Sequence, residues 1–133
     1  MTSSPVSGVL WDSDYIIALL IENETTHLRA VALRKKLVGI PQYILRPITY
    51  ELATVVSRKF GQASAIGILM DIAQSKVGVL DIAEFEAEIW EIFRACRKNG
   101  TSFFDCANLF MAKYFNLKIA SFDSFYPRNM LAA

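Results

Sequence analysis

The chain has 133 residues, 53% of them hydrophobic and 20% charged, with 14 Lys and Arg against 13 Asp and Glu and a formal net charge of +1. That is one ordinary domain, able to bury roughly two-thirds of its unfolded surface, and the composition excludes a disordered chain. The near-zero charge neither demands nor excludes nucleic acid, because binding depends on where the basic residues cluster.

Taken in order, Val9-Leu10-Trp11 reads as a short buried strand that stops at Asp12-Ser13-Asp14. Tyr15 to Ile21 follows as a helix capped by one of those polar residues. Thr26 to Val38 is a second helix with a basic end, Arg34-Lys35-Lys36, which suits the helix dipole, and Gly39 ends it. Tyr43-Ile44-Leu45 is the next strand. Pro47 fits the first turn of the helix after it, which runs to about Phe60 with Ile48, Leu52, Val55 and Val56 on one face. Gly61 separates a further helix, Ala63 to Gln74, and Val77 to Leu80 is a third strand. A long helix, Ala83 to Lys98, carries Phe85, Ile89, Ile92 and Phe93 inward and stops at Asn99-Gly100. The last unit starts at Ser102-Phe103-Phe104-Asp105, continues as an apolar helix and ends in the strand Leu117-Lys118-Ile119-Ala120-Ser121-Phe122-Asp123. Tyr126 to Ala133 reads as a loop and tail. Short apolar strands alternating with helices predict an α/β fold, a parallel sheet covered on both faces. The expectation is a single domain over residues 1–133, with 1–7 and 129–133 as flexible ends.

Residue types narrow the chemistry. One histidine, His27, rules out a histidine-rich metal site, and Cys96 and Cys106 share no short spacing and read as buried free thiols. The longest apolar run, Tyr15 to Ile21, falls far short of the ~18 residues that span a bilayer. Met1 to Gly8 lacks the basic and apolar regions of a signal peptide, so the cytoplasm is the expected location. The apolar surplus suggests a face covered by a partner or a second copy.

The carboxylates carry the functional signal. In open parallel sheets the functional crevice lies at the carboxyl ends of the strands. Asp12 follows the first strand, Asp123 the last, and Glu51 sits in the opening turns of the helix after the second. Asp105 begins a helix rather than following a strand, so its place depends on how that helix packs. Clustered acids repel one another, and a hard divalent cation with oxygen ligands, Mg²⁺ or Mn²⁺, resolves the conflict. Such a site activates water and neutralises charge on a phosphodiester. Each acid also has a plainer reading: Asp12 as a helix cap, Asp14 as solvent-facing or second to Asp12, Glu51 as a first-turn carboxylate, Asp105 as part of a capping box with Ser102, and Asp123 as a turn residue. Ser102, Asn108 and Ser121 lie near the acids, where they would orient a carboxylate, a water or a phosphate. Arg46, between the second strand and Glu51, is a candidate phosphate contact. Arg34-Lys35-Lys36, Arg58-Lys59 and Arg94/Arg97-Lys98 are candidate backbone contacts.

The order of these residues resembles the PIN domain family, particularly its small ribonuclease toxins of VapC type. The segments that carry the resemblance are Val9-Leu10-Trp11-Asp12-Ser13-Asp14, Pro47-Ile48-Thr49-Tyr50-Glu51-Leu52, Ser102-Phe103-Phe104-Asp105 and Ala120-Ser121-Phe122-Asp123, with Ala112-Lys113 before the last strand. The resemblance implies an α/β/α sandwich around a mainly parallel sheet of short strands, and a Mg²⁺- or Mn²⁺-dependent endoribonuclease. It implies that Asp12, Glu51, Asp105 and Asp123 form the acidic pocket, that Ser121 helps hold metal or phosphate, that the chain forms homodimers, and that an antitoxin protein neutralises it. Asp14 stands where relatives carry a small polar residue, so Asp12 and Asp14 are alternatives for the ligand after the first strand. Two other readings compete: a catalytically weak PIN-like module that binds RNA or protein, and a phosphatase with Asp12 as nucleophile in an Asp-x-Asp arrangement.

Overall fold

The structure is a computed structural model that describes residues 7–132. Its centre is a four-stranded sheet in which every pairing is parallel, in the order β3-β2-β1-β4. The strands are β1 (Gly8–Trp11), β2 (Gln42–Leu45), β3 (Gly78–Leu80) and β4 (Leu117–Ala120). Helices α1 (Ser13–Leu20) and α2 (His27–Lys36) lie between β1 and β2. Helices α3 (Arg46–Phe60) and α4 (Gln62–Gln74) lie between β2 and β3, and α5 (Glu86–Ala95) and α6 (Phe103–Phe115) between β3 and β4. Parallel strands need such crossovers, and the helices flank the sheet as the alternating pattern predicts.

Strand β1 is buried at all four positions, as a central strand covered on both faces must be. It pairs with β2 through Val9 and Leu10 and with β4 through Gly8 to Trp11. Gly8 is required there: a Cβ would stand 2.7 Å from the Pro41 carbonyl oxygen and 2.8 Å from the Tyr43 ring. Leu10, Tyr15, Ile16, Ile44, Leu45, Ile48, Leu52, Ile89, Met111 and Ile119 form the fully enclosed part of the core. Helix α6 ends at Asn116, whose left-handed backbone (φ 56°) turns the chain at once into β4.

Three expectations change. The long helix predicted over Ala83 to Lys98 is a 3₁₀ turn, Ala83–Phe85, followed by the shorter α5. The break sets the Phe85 ring against Phe110, Tyr114 and Phe115 of α6. At its other end α5 stops before Asn99-Gly100, because Cys96 is extended and its thiol meets that of Cys106. The tail is also not loose. Tyr126 is buried, residues Arg128–Met130 form a 3₁₀ turn, and Leu131 makes a parallel bridge to Ile119. The Ala132 N–H donates to the Ile119 carbonyl at 2.9 Å, and the Lys118 ammonium to that of Asn129. The predicted flexible end at 129–133 is therefore an edge of the sheet as far as residue 132. Ser7 is hydrogen-bonded to the Asn116 carbonyl, whereas the remainder of the predicted loose start, 1–6, lies outside the described residues.

Candidate metal centre

Parallel pairing brings the ends of β1 and β4 side by side, with Trp11 opposite Ala120. Asp12 and Ser121 are therefore neighbours by connectivity. Asp12 has an extended backbone and caps α1, its Oδ1 accepting from the Ser13 N–H at 2.9 Å. The cap and the site are the same residue. Only 3% exposed, the Asp12 carboxylate also accepts from Asn108 Nδ2 at 3.2 Å, Ser121 Oγ at 3.0 Å and the Tyr126 hydroxyl at 3.1 Å.

Asp105 is placed by α6, whose first turn is fixed by Ser102. The Ser102 hydroxyl accepts from the N–H groups of Phe104 and Asp105, so Ser102 supports Asp105 through the backbone. Asp123 follows β4; its N–H donates to Ser121 Oγ at 3.0 Å, and its Oδ1 accepts from the Phe125 N–H at 2.9 Å. One carboxylate oxygen from each of Asp12, Asp105 and Asp123 lies within 4.8 Å of the others.

Protons are scarce in this cluster. The Ser121 hydroxyl stands within reach of Asp12 Oδ2 at 3.0 Å and Asp14 Oδ2 at 3.2 Å, yet it has one hydrogen to donate. The Tyr126 hydroxyl is shared in the same way between Asp12 Oδ2 at 3.1 Å and Asp105 Oδ1 at 3.2 Å. Burial, then the charges of Asp14 and Asp105, push the Asp12 carboxyl up to about 8. Burial, then Asp123, push Asp105 up to about 6. Asp14 and Glu51 are raised as well, each chiefly by burial. Burial and the same carboxylates hold the Tyr126 phenol protonated, far above its ordinary range. A site that penalises its own negative charges in this way favours a cation.

The remaining predicted residues divide. Asp14 accepts from the Phe122 N–H at 2.9 Å and shares Ser121, which ties α1 to the end of β4. Glu51 is half-buried and feels the Asp14 charge and the Ser13 hydroxyl, so it borders the cluster on the α1 side without joining the three. Asn108 is fully buried rather than on the helix surface; it bridges Asp12 and Tyr126, and among the described residues its Oδ1 has no hydrogen-bond partner. Arg46 is exposed and paired with Asp81 beyond β3, a partner the sequence reading did not contain. Tyr126 was missed altogether. Its signal was a tail, Phe122 to Tyr126, too aromatic for a solvated end.

A doubly flanked parallel sheet with acids gathered at its carboxyl edge defines the class: an α/β domain with a carboxylate-lined pocket. The PIN domain model matches residues 9–128, and the chain belongs to the PIN domain family. Two crystal structures share the fold. One is Mycobacterium tuberculosis VapC20, described as a Sarcin-Ricin loop cleaving toxin; it is 18% identical with a TM-score of 0.79, over 89% of this chain and 92% of that one. The other is VapBC2 from Rickettsia felis bound to a DNA fragment from its promoter, 14% identical with a TM-score of 0.53 over 86% of this chain and 98% of that one. No curated protein sequence gives a significant match.

Proposed function

We propose that this chain is a Mg²⁺- or Mn²⁺-dependent endoribonuclease, the toxin of a toxin–antitoxin pair. The observation that carries the reading is the approach of Asp12, Asp105 and Asp123 to within 4.8 Å, with two hydroxyl protons shared among the carboxylates of Asp12, Asp14 and Asp105. The donor set is all oxygen, which suits Mg²⁺ or Mn²⁺ rather than a soft metal. Asp12, Asp105 and Asp123 would hold the ion, with Glu51 at the border of the pocket. The bound ion would supply an acidified water and neutralise charge on the phosphodiester.

The chain's own residues do the rest. Ser121, Asn108 and Tyr126 fix the Asp12 carboxylate so that it needs no reorganisation when charge develops. Asp14 anchors the Phe122 N–H and competes for the Ser121 hydroxyl, which keeps the strand end in register with α1. Asp12 is the ligand after β1 and Asp14 its support. In-line attack by water on RNA leaves a 3′-hydroxyl and a 5′-phosphate. The likeness in fold to a toxin that cleaves the Sarcin-Ricin loop favours RNA as substrate, and the likeness to VapBC2 favours an antitoxin partner. Exposed apolar residues such as Leu28, Val38 and Ile66 suit interfaces with that partner or in a homodimer. Among the described residues no helix is long and apolar enough to cross a membrane, and we place the enzyme in the cytoplasm.

The test is cleavage of cellular tRNA and rRNA with Mn²⁺ or Mg²⁺, beside EDTA and Asp105→Asn controls. Metal-dependent cuts absent from both controls support the reading. Cuts that persist in Asp105→Asn would sink it.

A further inference from the structure

Beside the acidic pocket runs a line of aromatic rings that metal binding does not use. The Trp90 and Phe103 rings stand 4.4 Å apart, Phe93 stands 5.6 Å from Trp90, and Phe103 stands 6.4 Å from Phe104. Phe104 then lines a hollow of about 350 Å³ with Tyr50, Glu51, Thr54 and Val55. The line thus begins on α5, crosses the first turn of α6 immediately before Asp105, and ends at Glu51. Its two ends are open: Trp90 is 45% exposed and Tyr50 63%.

Charge is graded along the same helix. Glu84, Glu86 and Glu88 crowd the start of α5, while Arg94, one turn after Trp90, stands in its last turn, and Arg97 and Lys98 follow it, exposed, in the stretch of chain that leads to Phe103. Arg94 is paired with Glu91. Flat rings with cations beside them suit a strand of stacked bases and phosphates. A partner helix would instead ask for an unbroken apolar groove.

We infer that Trp90 and Phe103 form a base-stacking subsite for a single-stranded RNA segment. An unpaired base lies on these rings, its phosphates face Arg97 and Lys98, and the strand continues past Phe104 and Tyr50 into the pocket. The direction of the strand rests on the ribonuclease reading; the stacking does not. Paired bases keep their faces covered, so the subsite selects unpaired nucleotides.

Trp90 is the exposed one of the two tryptophans, Trp11 being 5% exposed, and the emission of Trp90→Phe supplies the Trp11 background to be subtracted. The full chain in EDTA is titrated with a short mixed-sequence single-stranded RNA, following tryptophan emission and the anisotropy of the labelled RNA. The expected result is saturable quenching that duplex RNA of the same sequence does not compete away. Trp90→Ala weakens binding about tenfold, as loss of one stacked base does, and Trp90→Phe restores most of it. Tyr50→Ala weakens binding too, without touching the Trp90–Phe103 contact. Equal affinity of folded Trp90→Ala and Tyr50→Ala for the RNA would overturn the subsite. So would Trp90 emission that follows protein concentration and ignores RNA, which would assign the face to a second copy. Quenching in a protein that cuts nothing with Mn²⁺ would sink the ribonuclease reading and leave the subsite standing; cleavage without quenching would do the reverse.

Discussion

Asp12 caps α1 with the same carboxylate that meets Asp105 and Asp123 in the acidic cluster. Because its carboxyl is pushed up to about 8 from an ordinary 3.8, the metal-free folded state holds a proton there that the unfolded chain has already released. Stability of the metal-free protein therefore falls as pH rises from about 4 towards 8, since the folded state binds the extra proton across that window. Thermal melts in EDTA at pH 5 and pH 8 check this: the melting temperature should be lower at pH 8. Asp12→Asn, which keeps an oxygen for the Ser13 N–H, should raise the pH 8 value and shrink the difference. It does not abolish the difference, because Asp14, Glu51 and Asp105 are raised in the same direction. Tyr126→Phe removes the hydroxyl shared by Asp12 and Asp105 and the acceptor of Asn108. The expected cost is about 1–3 kcal/mol of stability, read by denaturant titration, and weaker Mn²⁺ binding at pH 6, where unrelieved carboxylates hold protons against the metal.

At the level of the elements, connectivity decided what was readable. Asp12 and Asp123 follow β1 and β4, so parallel pairing alone puts them at one edge. Asp105 is set by the packing of α6, and sequence periodicity does not specify the rotation of a helix about its neighbours. The same rotation hides Asn108, which is polar, buried and indistinguishable in the sequence from a surface amide. Tyr126 was unreadable for another reason: Leu131 pairs with Ile119 through the backbone, and that short bridge leaves no alternation to detect. Arg46 and Asp81 meet because β2 and β3 are adjacent, a pairing that the chain order does not dictate. Two substitutions probe the elements themselves. Ser102→Ala removes the cap of α6 and should cost about 1 kcal/mol in denaturant unfolding. Gly8→Ala forces a Cβ against the Pro41 carbonyl and the Tyr43 ring in the central strand, and should cost more, about 1–3 kcal/mol.

Over the whole molecule, the fold is a device for convergence. Crossover helices let strands distant in sequence end at one edge, and Asp12 and Ser121, 109 positions apart, close into a 3.0 Å hydrogen bond. The final segment completes that closure, with Tyr126 reaching Asp12 from 114 positions away. Removing residues 126–133 should therefore lower the melting temperature and the Mn²⁺ affinity together, whereas a loose tail would change neither. The most direct measurement is calorimetric titration of Mn²⁺ into the metal-free full chain at neutral pH, beside Asp123→Asn. A saturable site that the substitution removes, with proton release as the raised carboxyls give way to the ion, is the predicted result. A folded parent chain that takes up no Mn²⁺, or an Asp123→Asn protein that binds it as tightly as the parent, would contradict the assignment of these carboxylates.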